Sequence, residues 1–259
     1  MIRHMPCLLS VHLLPATLDP ERLPGCVAVM IDVLRASTTI THALAAGCDH
    51  VVPCREIQEA RDLAARVSPT SPLLAGERGG TRIPGFDLGN SPVSFTPTAV
   101  KNREIVFTTT NGTAALVACA AADLVLIGAF SNLSAIVDTL SELHKPIHLV
   151  CAGTNGTVTA EDCLCAGGIG LALRNRDQFD THADDAARMT IEMYQRHGTD
   201  PATLLEELRN SHGGRNLEQL GFDSDIESAA QQDQLTVVPV FDSTDGTIRA
   251  MQPQATRMQ

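Results

Sequence analysis

Acidic residues follow apolar runs at three points of the sequence. Asp32 follows VAVMI, Glu77 follows PLLAG, and Asp162 comes shortly after PIHLVCAG. A carboxylate beside an apolar run costs free energy unless a cation or hydrogen-bond donors meet it. Carboxylate oxygens are also the ligands that Mg²⁺ prefers. The sequence therefore predicts metal ligation by Asp32, Glu77 and Asp162. The alternative for Asp162 is an ordinary acidic residue in the first turn of a helix, where the helix dipole favours it.

Groups that bind anions accompany these acids. Hydroxyls, side-chain amides, backbone amides and guanidinium groups suit phosphate oxygens. The candidate substrate contacts are Arg35, Thr38, Thr39, Arg78, Asn90, Ser91, Thr110, Asn111 and Gly112. Acids and donors together predict metal-assisted phosphoryl transfer, with Asp32, Glu77 and Arg35 as the catalytic residues. The sequence has no Walker A, GxGxxG or GxSxG motif, which weighs against NTPases, dinucleotide-binding enzymes and serine hydrolases.

Structural roles are alternatives for several of these residues. Thr38 and Asn111 are of the types preferred at helix N-caps, and Arg35 could form a structural ion pair with Asp32. Asp32 is either a metal ligand or a nucleophile. Phosphatases of the haloacid dehalogenase type form an aspartyl phosphate with a DxD pair, and DVL at this position lacks the second Asp. Direct attack by water therefore stays open beside nucleophilic attack by Asp32.

The segment 76–92, GERGGTRIPGFDLGNSP, places five glycines among charged residues and prolines. Flexible linkers are usually Gly/Ser repeats, whereas this composition favours a fixed loop whose backbone approaches a ligand. The loop carries Glu77 and Arg78 near one end and Asn90 and Ser91 near the other. The two charged neighbours can face one ligand only if the chain turns at the glycine pair that follows them.

Apolar runs alternate with helical periods along most of the chain. VAVMIDV at 27–33 and PIHLVCAG at 146–153 predict strands, while EIQEARDLAARV predicts a helix with Ile57 and Val67 on its apolar face. This order predicts an α/β fold with a parallel-rich mixed sheet and helices on both faces, layered α/β/α. The tetrapeptide TNGT recurs at 110–113 and 154–157, each time between a predicted strand and a helix.

The carboxyl-terminal third has a more helical and polar pattern. We predict an α/β core over residues 1–176 and a helical part over residues 177–259 that packs on the same core. One final strand is predicted over QLTVVPVF at 234–241, followed by a frayed polar tail.

Composition limits the partners. The net charge of -11 argues against nucleic acid and against an anionic membrane surface, and no apolar run reaches the length of a membrane span. The eight cysteines lack zinc-finger spacing, so reduced thiols of a cytoplasmic protein are expected. A small phosphorylated anion is the expected partner, and a homodimer is compatible with the sequence.

Four motifs in this order resemble those of the 2-phosphosulfolactate phosphatases of the coenzyme M pathway. They are IDVLRASTTI, GERGGTRIPGFDLGNSP, TTTNGTAAL and AGTNGTVTAEDCLCAG, with a weaker match at GRNLEQLGFDSDIESA followed by VVPV. Together they span roughly residues 29–240. The one departure is Ser37, where the family pattern has Thr, and the hydroxyl is kept.

The resemblance implies an α/β fold and a Mg²⁺-dependent phosphatase. Its implied substrate is (2R)-O-phospho-3-sulfolactate, which is hydrolysed to sulfolactate and phosphate. A ligand with a phosphate, a sulfonate and a carboxylate would explain the need for a rigid, glycine-rich loop beside the metal. Two alternatives stay open from the residues alone: a phosphatase of another small phosphorylated 2-hydroxy acid, and a non-catalytic anion-binding protein.

Overall fold

The computed structural model describes residues 7–66, 71–176 and 179–252. Its strands are β1 (Cys7–His12), β2 (Val27–Ile31), β3 (His50–Cys54), β4 (Leu73–Arg78), β5 (Thr81–Arg82), β6 (Glu104–Thr108), β7 (Leu124–Gly128), β8 (Ile147–Cys151), β9 (Phe179–Asp180), β10 (Pro239–Asp242) and β11 (Thr247–Ala250). Its α-helices are α1 (Ala36–Ala45), α2 (Ile57–Arg66), α3 (Pro97–Val100), α4 (Gly112–Ala118), α5 (Leu133–Leu143), α6 (Ala160–Arg174), α7 (Asp185–His197), α8 (Pro201–Asn210), α9 (His212–Gln219) and α10 (Asp223–Ala229). Single 3-10 turns lie at Pro15–Thr17, Pro20–Arg22, Pro92–Ser94 and Phe130–Asn132.

All of these strands belong to one mixed sheet, in the order β5-β4-β6-β3-β11-β10-β7-β2-β8-β1-β9. Two blocks of the sheet are parallel: β4, β6 and β3 form one, and β7, β2, β8, β1 and β9 form the other. The prediction of a parallel-rich mixed sheet is therefore confirmed. The strands predicted at 27–33 and 146–153 are β2 and β8, and both end two residues earlier than expected.

The central strand β2 shows that helices cover both faces of the sheet. All five of its residues are buried. Val29 belongs to an apolar cluster that includes residues of α5 and α6. Its neighbours Ala28 and Met30 belong to a second cluster that includes residues of α1 and α4. Because successive side chains of a strand point to opposite faces, these two clusters lie on the two sides of the sheet, and the α/β/α layering is confirmed.

The prediction of a single final strand followed by a frayed tail is wrong for the described residues. The strand predicted at 234–241 begins only at Pro239, and a further strand, β11, lies inside the predicted tail. β10 and β11 form an antiparallel hairpin that lies between the two parallel blocks, with β10 on β7 and β11 on β3. Ile248, which is fully buried opposite Val51, supplies the apolar contact of this otherwise polar segment.

The carboxyl-terminal helices pack on the rest of the chain, and α7 lies closely against α6. An ideal Cβ at Gly167 would lie 2.0 Å from the carbonyl oxygen of Thr190 in α7, so glycine permits this close approach of two helices. Among the described residues no helix is long and apolar enough to cross a membrane. Val67 and the tail at 253–259 lie outside the described residues, and the division at residue 176 stays a prediction.

Candidate active site

A cavity of about 310 Å³ lies beyond the carboxyl ends of the strands. Residues at or beyond the carboxyl ends of β2, β4, β6 and β8 form one side, and α9 with Leu220 forms the other. Six of the predicted site residues line it: Asp32, Arg35, Glu77, Asn90, Thr110 and Asn111. Strand ends and helix starts are where ligands bind in open α/β sheets, so the cavity lies where the fold class predicts a site.

Asp32 is held at the end of β2 by the first turn of α1. The amide and the hydroxyl of Ser37 both donate to the Asp32 carbonyl oxygen at 2.8 Å, and the amide of Ala36 donates to Oδ1 at 3.2 Å. Burial, with a smaller contribution from the nearby acids Glu77 and Glu161, raises the pKa of the Asp32 carboxyl to about 7. A carboxyl group with this pKa can exchange a proton near neutral pH, as functional carboxyls often do.

Glu77 joins two backbone segments of the cavity wall. Its Oε2 accepts the amide of Gly80 at 2.8 Å, and its Oε1 accepts the amide of Thr110 at 2.8 Å. Gly80 has φ 82°, in the left-handed region that favours glycine, and lies in the turn between β4 and β5. An ideal Cβ on Gly80 would lie 2.5 Å from Leu220 Cδ1. Glu77 therefore fixes the turn at the point where it meets the opposite wall.

Arg78 points away from the cavity, although it is adjacent to Glu77. Its guanidinium donates to the carbonyl oxygens of Glu77 and Arg55 at 2.7 and 2.8 Å, and to Thr108 Oγ1 at 2.9 Å. The chain does turn at the glycine pair, as expected, but the turn does not bring both charged side chains to one side. Arg78 lies among backbone groups beside β4, and its predicted substrate contact has no support from this geometry.

Arg35 lies in the cavity wall and pairs with a residue that the sequence did not single out. Its ion-pair partner is Asp225 of α10, at 2.6 Å, rather than Asp32. Its second terminal nitrogen donates to the carbonyl oxygen of Gly80 at 2.5 Å. The alternative of a structural Asp32–Arg35 pair is therefore wrong, and Asp32 keeps no ion-pair partner within the residues described here.

The remaining predicted hydroxyls bind the protein itself. Thr38 Oγ1 donates to the Val33 carbonyl oxygen at 2.8 Å, and Thr39 Oγ1 donates to that of Asn90 at 3.2 Å. Both threonines are fully buried in α1, and Thr38, its third residue, is not the cap. The hydroxyl of Ser91 donates to Asp225 at 2.6 Å. Thr39 thus holds the backbone of the lining residue Asn90, and none of these three side chains lines the cavity itself.

The two TNGT tetrapeptides meet at the cavity, although β6 and β8 are not neighbours in the sheet. Asn111 Oδ1 accepts the backbone amide of Asn155 at 3.0 Å, and Thr154 completes this part of the wall. Asn111 stands at the N-cap position of α4 but makes no side-chain capping bond. The recurrence therefore marks two loops that face each other at one site.

Gly112 lies behind the cavity wall against Asp32. An ideal Cβ at this position would lie 2.6 Å from Ala36 Cβ, 2.9 Å from Asp32 Oδ2 and 3.2 Å from Thr109 Oγ1. Glycine is therefore required here by close contact. The same distances show that the second carboxylate oxygen of Asp32 and the hydroxyl of Thr109 converge on one small region.

Asp162 is buried beneath the cavity and does not line it. Its Oδ1 accepts the amide of Val33 at 2.8 Å, and its Oδ2 accepts the amide of Gly153 at 2.9 Å. Both oxygens thus hold the chain where it leaves β2 and β8. Burial and the adjacent carboxylates of Glu161 and Asp32 hold the pKa of Asp162 well above its usual range.

The oxygen atoms around the cavity fit a hard cation. Asn90 Oδ1, Thr109 Oγ1 and Glu161 Oε2 are buried without a hydrogen-bond partner in the described part of the chain, and Asn90 and Thr109 line the cavity beside Asp32. No three His, Cys, Asp or Glu side chains within residues 7–66, 71–176 and 179–252 converge closely enough to hold a metal ion. Mg²⁺ commonly uses one or two carboxylates and keeps several waters, so a set built on Asp32 with neutral oxygens suits it.

The opposite wall of the cavity was missed by sequence reasoning. It consists of Gly213, Asn216, Leu217, Gln219 and Leu220. The resemblance had matched the motif GRNLEQLGFDSDIESA without assigning a role to its residues. Its pattern is that of an ordinary amphipathic helix. Such a pattern predicts a helix but does not indicate which strands of the sheet that helix covers.

The family model of 2-phosphosulpholactate phosphatase matches residues 12–244. A protein of Symbiobacterium thermophilum is 41% identical over 228 residues, which cover 88% of this chain and 95% of the relative. A protein of Deinococcus radiodurans is 42% identical over 235 residues, covering 90% and 92%. One of Caldanaerobacter subterraneus is 37% identical over 224 residues, covering 86% and 90%. Each carries the name "Probable 2-phosphosulfolactate phosphatase".

The matched region contains the strand ends, both TNGT loops and the opposite wall of the cavity. It also contains α10 with Asp225 and the whole of β10, the first strand of the β10–β11 hairpin. The similarity therefore covers the whole described site together with most of the sheet that carries it. On that extent of similarity, the chain belongs to the 2-phosphosulpholactate phosphatase family.

Proposed function

We propose that the protein is a Mg²⁺-dependent phosphatase that hydrolyses (2R)-O-phospho-3-sulfolactate to sulfolactate and phosphate. The observation that carries the proposal is the charge balance of the cavity. Asp32 and Glu77 are its two acids, and Arg35 is the one basic side chain among its lining residues in the described chain. A substrate with a phosphate, a sulfonate and a carboxylate would be repelled by this lining unless a cation accompanied it. The names of the relatives agree with this substrate.

Asp32, Asn90 and Thr109 are the residues that would hold the cation. When bound, Mg²⁺ would offset the negative charge of the phosphoryl oxygens during transfer. Asp32 offers Oδ2, because its Oδ1 already accepts the Ala36 amide. The side-chain oxygens of Asn90 and Thr109 are the unpartnered atoms described above. Glu77 would contribute by fixing the turn and the loop that surround the cation, and Asp162 by holding the ends of β2 and β8.

The chain's other residues would bind and enclose the substrate. Arg35 would meet one anionic group with its remaining N–H donors. Leu217 and Leu220 would cover the substrate and lower the number of waters that reach it. Asp32 would either orient the attacking water or attack phosphorus itself. Acid quenching during turnover of substrate that is labelled in its phosphoryl group distinguishes the two routes. Only attack by Asp32 itself would leave labelled phosphate on the protein.

A panel of phosphorylated 2-hydroxy acids, with and without a sulfonate, tests the proposal. We expect phosphate release from phosphosulfolactate to exceed that from the carboxylate-only members by at least about tenfold in kcat/KM, since the missing anion leaves cavity donors unpaired. EDTA should abolish release and Mg²⁺ should restore it. Release from none of the panel, with or without Mg²⁺, would indicate an anion-binding protein without phosphatase activity.

Mg²⁺ affinity should rise with pH up to and through about 7. A bound cation needs the ionised carboxylate of Asp32, whose pKa burial raises to about 7, so protons compete with the metal below that pH. Calorimetry at about pH 6 and about pH 8 should show tighter binding at the higher value, with proton release at the lower one. The Asp32→Asn variant should lose this dependence. Equal wild-type affinity at both pH values would remove Asp32 from the metal site.

The setting of the enzyme is part of the proposal. All eight cysteines are free thiols, which is typical of a reducing, cytoplasmic compartment. The substrate would place the reaction in coenzyme M biosynthesis. A homodimer stays a prediction that light scattering on the purified protein would test.

A further inference from the structure

A buried carboxylate from the carboxyl-terminal helices reaches the cavity wall. Asp225 of α10 is fully buried. Its Oδ2 accepts from Arg35 at 2.6 Å and its Oδ1 accepts from the hydroxyl of Ser91 at 2.6 Å. Each partner belongs to a different part of the chain, far from Asp225 in the sequence. A charge in such a place is costly unless it is fully paired, and here both oxygens are.

Arg35 is held on three sides. Beside its bonds to Asp225 and to the Gly80 carbonyl oxygen, its guanidinium lies 4.6 Å from the centroid of the Phe222 ring. A guanidinium has five N–H donors in one plane, and these contacts use two of them. The other three have no partner among the described residues, and Arg35 lines the cavity. The plane of the guanidinium is thus fixed while donors remain for a ligand.

We propose that Asp225 is a positioning residue, which orients the Arg35 guanidinium so that its free N–H groups meet an anionic group of the substrate. The inference rests on the proposed function, because it takes the ligand of Arg35 to be an anion of the substrate. Asp225 itself contacts no substrate in this arrangement. It acts through Arg35, and Phe222 restricts the same guanidinium from its face.

The Asp225→Asn variant tests the proposal against Asp223→Asn, an exposed acid of the same helix. Asparagine keeps the size of the side chain and removes the charge that holds Arg35. We expect KM to rise by about tenfold or more, with kcat within about threefold of the wild type, because Arg35 would contribute equally to bound substrate and transition state. Asp223→Asn should leave both constants unchanged. A KM for Asp225→Asn within about twofold of the wild type would overturn the proposal.

Asp225→Asn leaves Arg35 without its charged partner, and this loss could prevent folding. A second variant therefore tests the proposal with the Arg35–Asp225 pair intact. Phe222→Leu keeps an apolar side chain beside the guanidinium and removes the aromatic face. We expect it to raise KM by about threefold at unchanged kcat. An unchanged KM would show that the orientation of Arg35 does not limit binding.

A double-mutant cycle separates positioning from general support of the fold. In an Arg35→Ala background, Asp225→Asn should raise KM no further, because the residue it acts through is gone. Equal increases with and without Arg35 would overturn the proposal. Calorimetric titration with inorganic phosphate gives a readout that is independent of turnover, and Asp225→Asn should weaken this binding by a similar factor. If the wild type releases no phosphate from phosphosulfolactate, the proposed function fails, and the phosphate titration still decides the role of Asp225.

Discussion

The Asp32→Asn variant should release phosphate at least about a thousandfold more slowly than the wild type at saturating substrate and Mg²⁺. The loss is expected for either role of Asp32. An amide neither attacks phosphorus nor matches a carboxylate as a Mg²⁺ ligand. Steady-state phosphate release measures the effect, with Asp223→Asn as the matched control. Activity within about tenfold of the wild type would remove Asp32 from the catalytic residues.

The same variant should fold at least as stably as the wild type when the metal is removed. The pKa of Asp32 rises from 3.8 to about 7 on folding, so the folded state holds this proton more tightly than the unfolded state. Its contribution to the free energy of unfolding is therefore lost as the pH rises from 3.8 to about 7. The asparagine side chain of the variant would stay neutral throughout. Denaturant unfolding in EDTA at about pH 8 should favour the variant, and a clear loss of stability there would contradict the assignment of a functional, poorly compensated charge.

Glu77→Gln and Arg78→Ala should fail in different ways although the two residues are adjacent. In Glu77→Gln an amide nitrogen replaces one of the oxygens that accept from Gly80 and Thr110, so one donor faces another donor. We expect kcat/KM to fall by about a hundredfold, because the turn at Gly80 and the loop at Thr110, which both line the cavity, would shift together. Arg78→Ala loses contacts outside the cavity and should mainly lower the melting temperature.

Kinetics at saturating Mg²⁺, combined with thermal melting of both variants, measures this contrast. For Arg78→Ala we expect kcat and KM within about threefold of the wild type. If this variant instead raised KM about tenfold at an unchanged melting temperature, Arg78 would contact the substrate as the sequence had predicted. If Glu77→Gln behaved like the wild type, its two backbone bonds would not be needed for the site.

The parallel part of the sheet was predictable because its strands are short, buried apolar runs. In β2 every residue is buried, so the sequence VAVMI leaves no ambiguity about its environment. The β10–β11 hairpin was not predictable in the same way. It has polar residues on its exposed positions, and Ile248 is the one fully buried apolar side chain of β11. The hairpin lies between β7 and β3 because it pairs with both strands, and both are far from it in the sequence. The local sequence pattern of the hairpin therefore could not predict this location.

The candidate site shows the same division. Asp32 and Glu77 were predictable because a carboxylate next to an apolar run costs free energy unless a cation or hydrogen-bond donors meet it. Thr38 is of the same residue type as Thr110, yet its hydroxyl donates to the backbone of the loop that precedes its own helix. The direction of a hydroxyl depends on the helix geometry around it, which residue type does not reveal. Asp225 was missed because its two partners are distant in the chain and its own segment reads as an ordinary polar helix.

The hairpin also determines when the sheet can be completed during synthesis. Within the described residues, β10 and β11 alone join the two parallel blocks by ladders of hydrogen bonds. Those strands are synthesised after β3 and β7, so a nascent chain exposes the unpaired edges of β3 and β7 until the hairpin has left the ribosome. Such edges pair readily with other chains, and partly folded chains with unpaired strand edges are prone to aggregation. Termination of translation before residue 239 would therefore leave two half-sheets, each with an unpaired edge that is open to association with other chains.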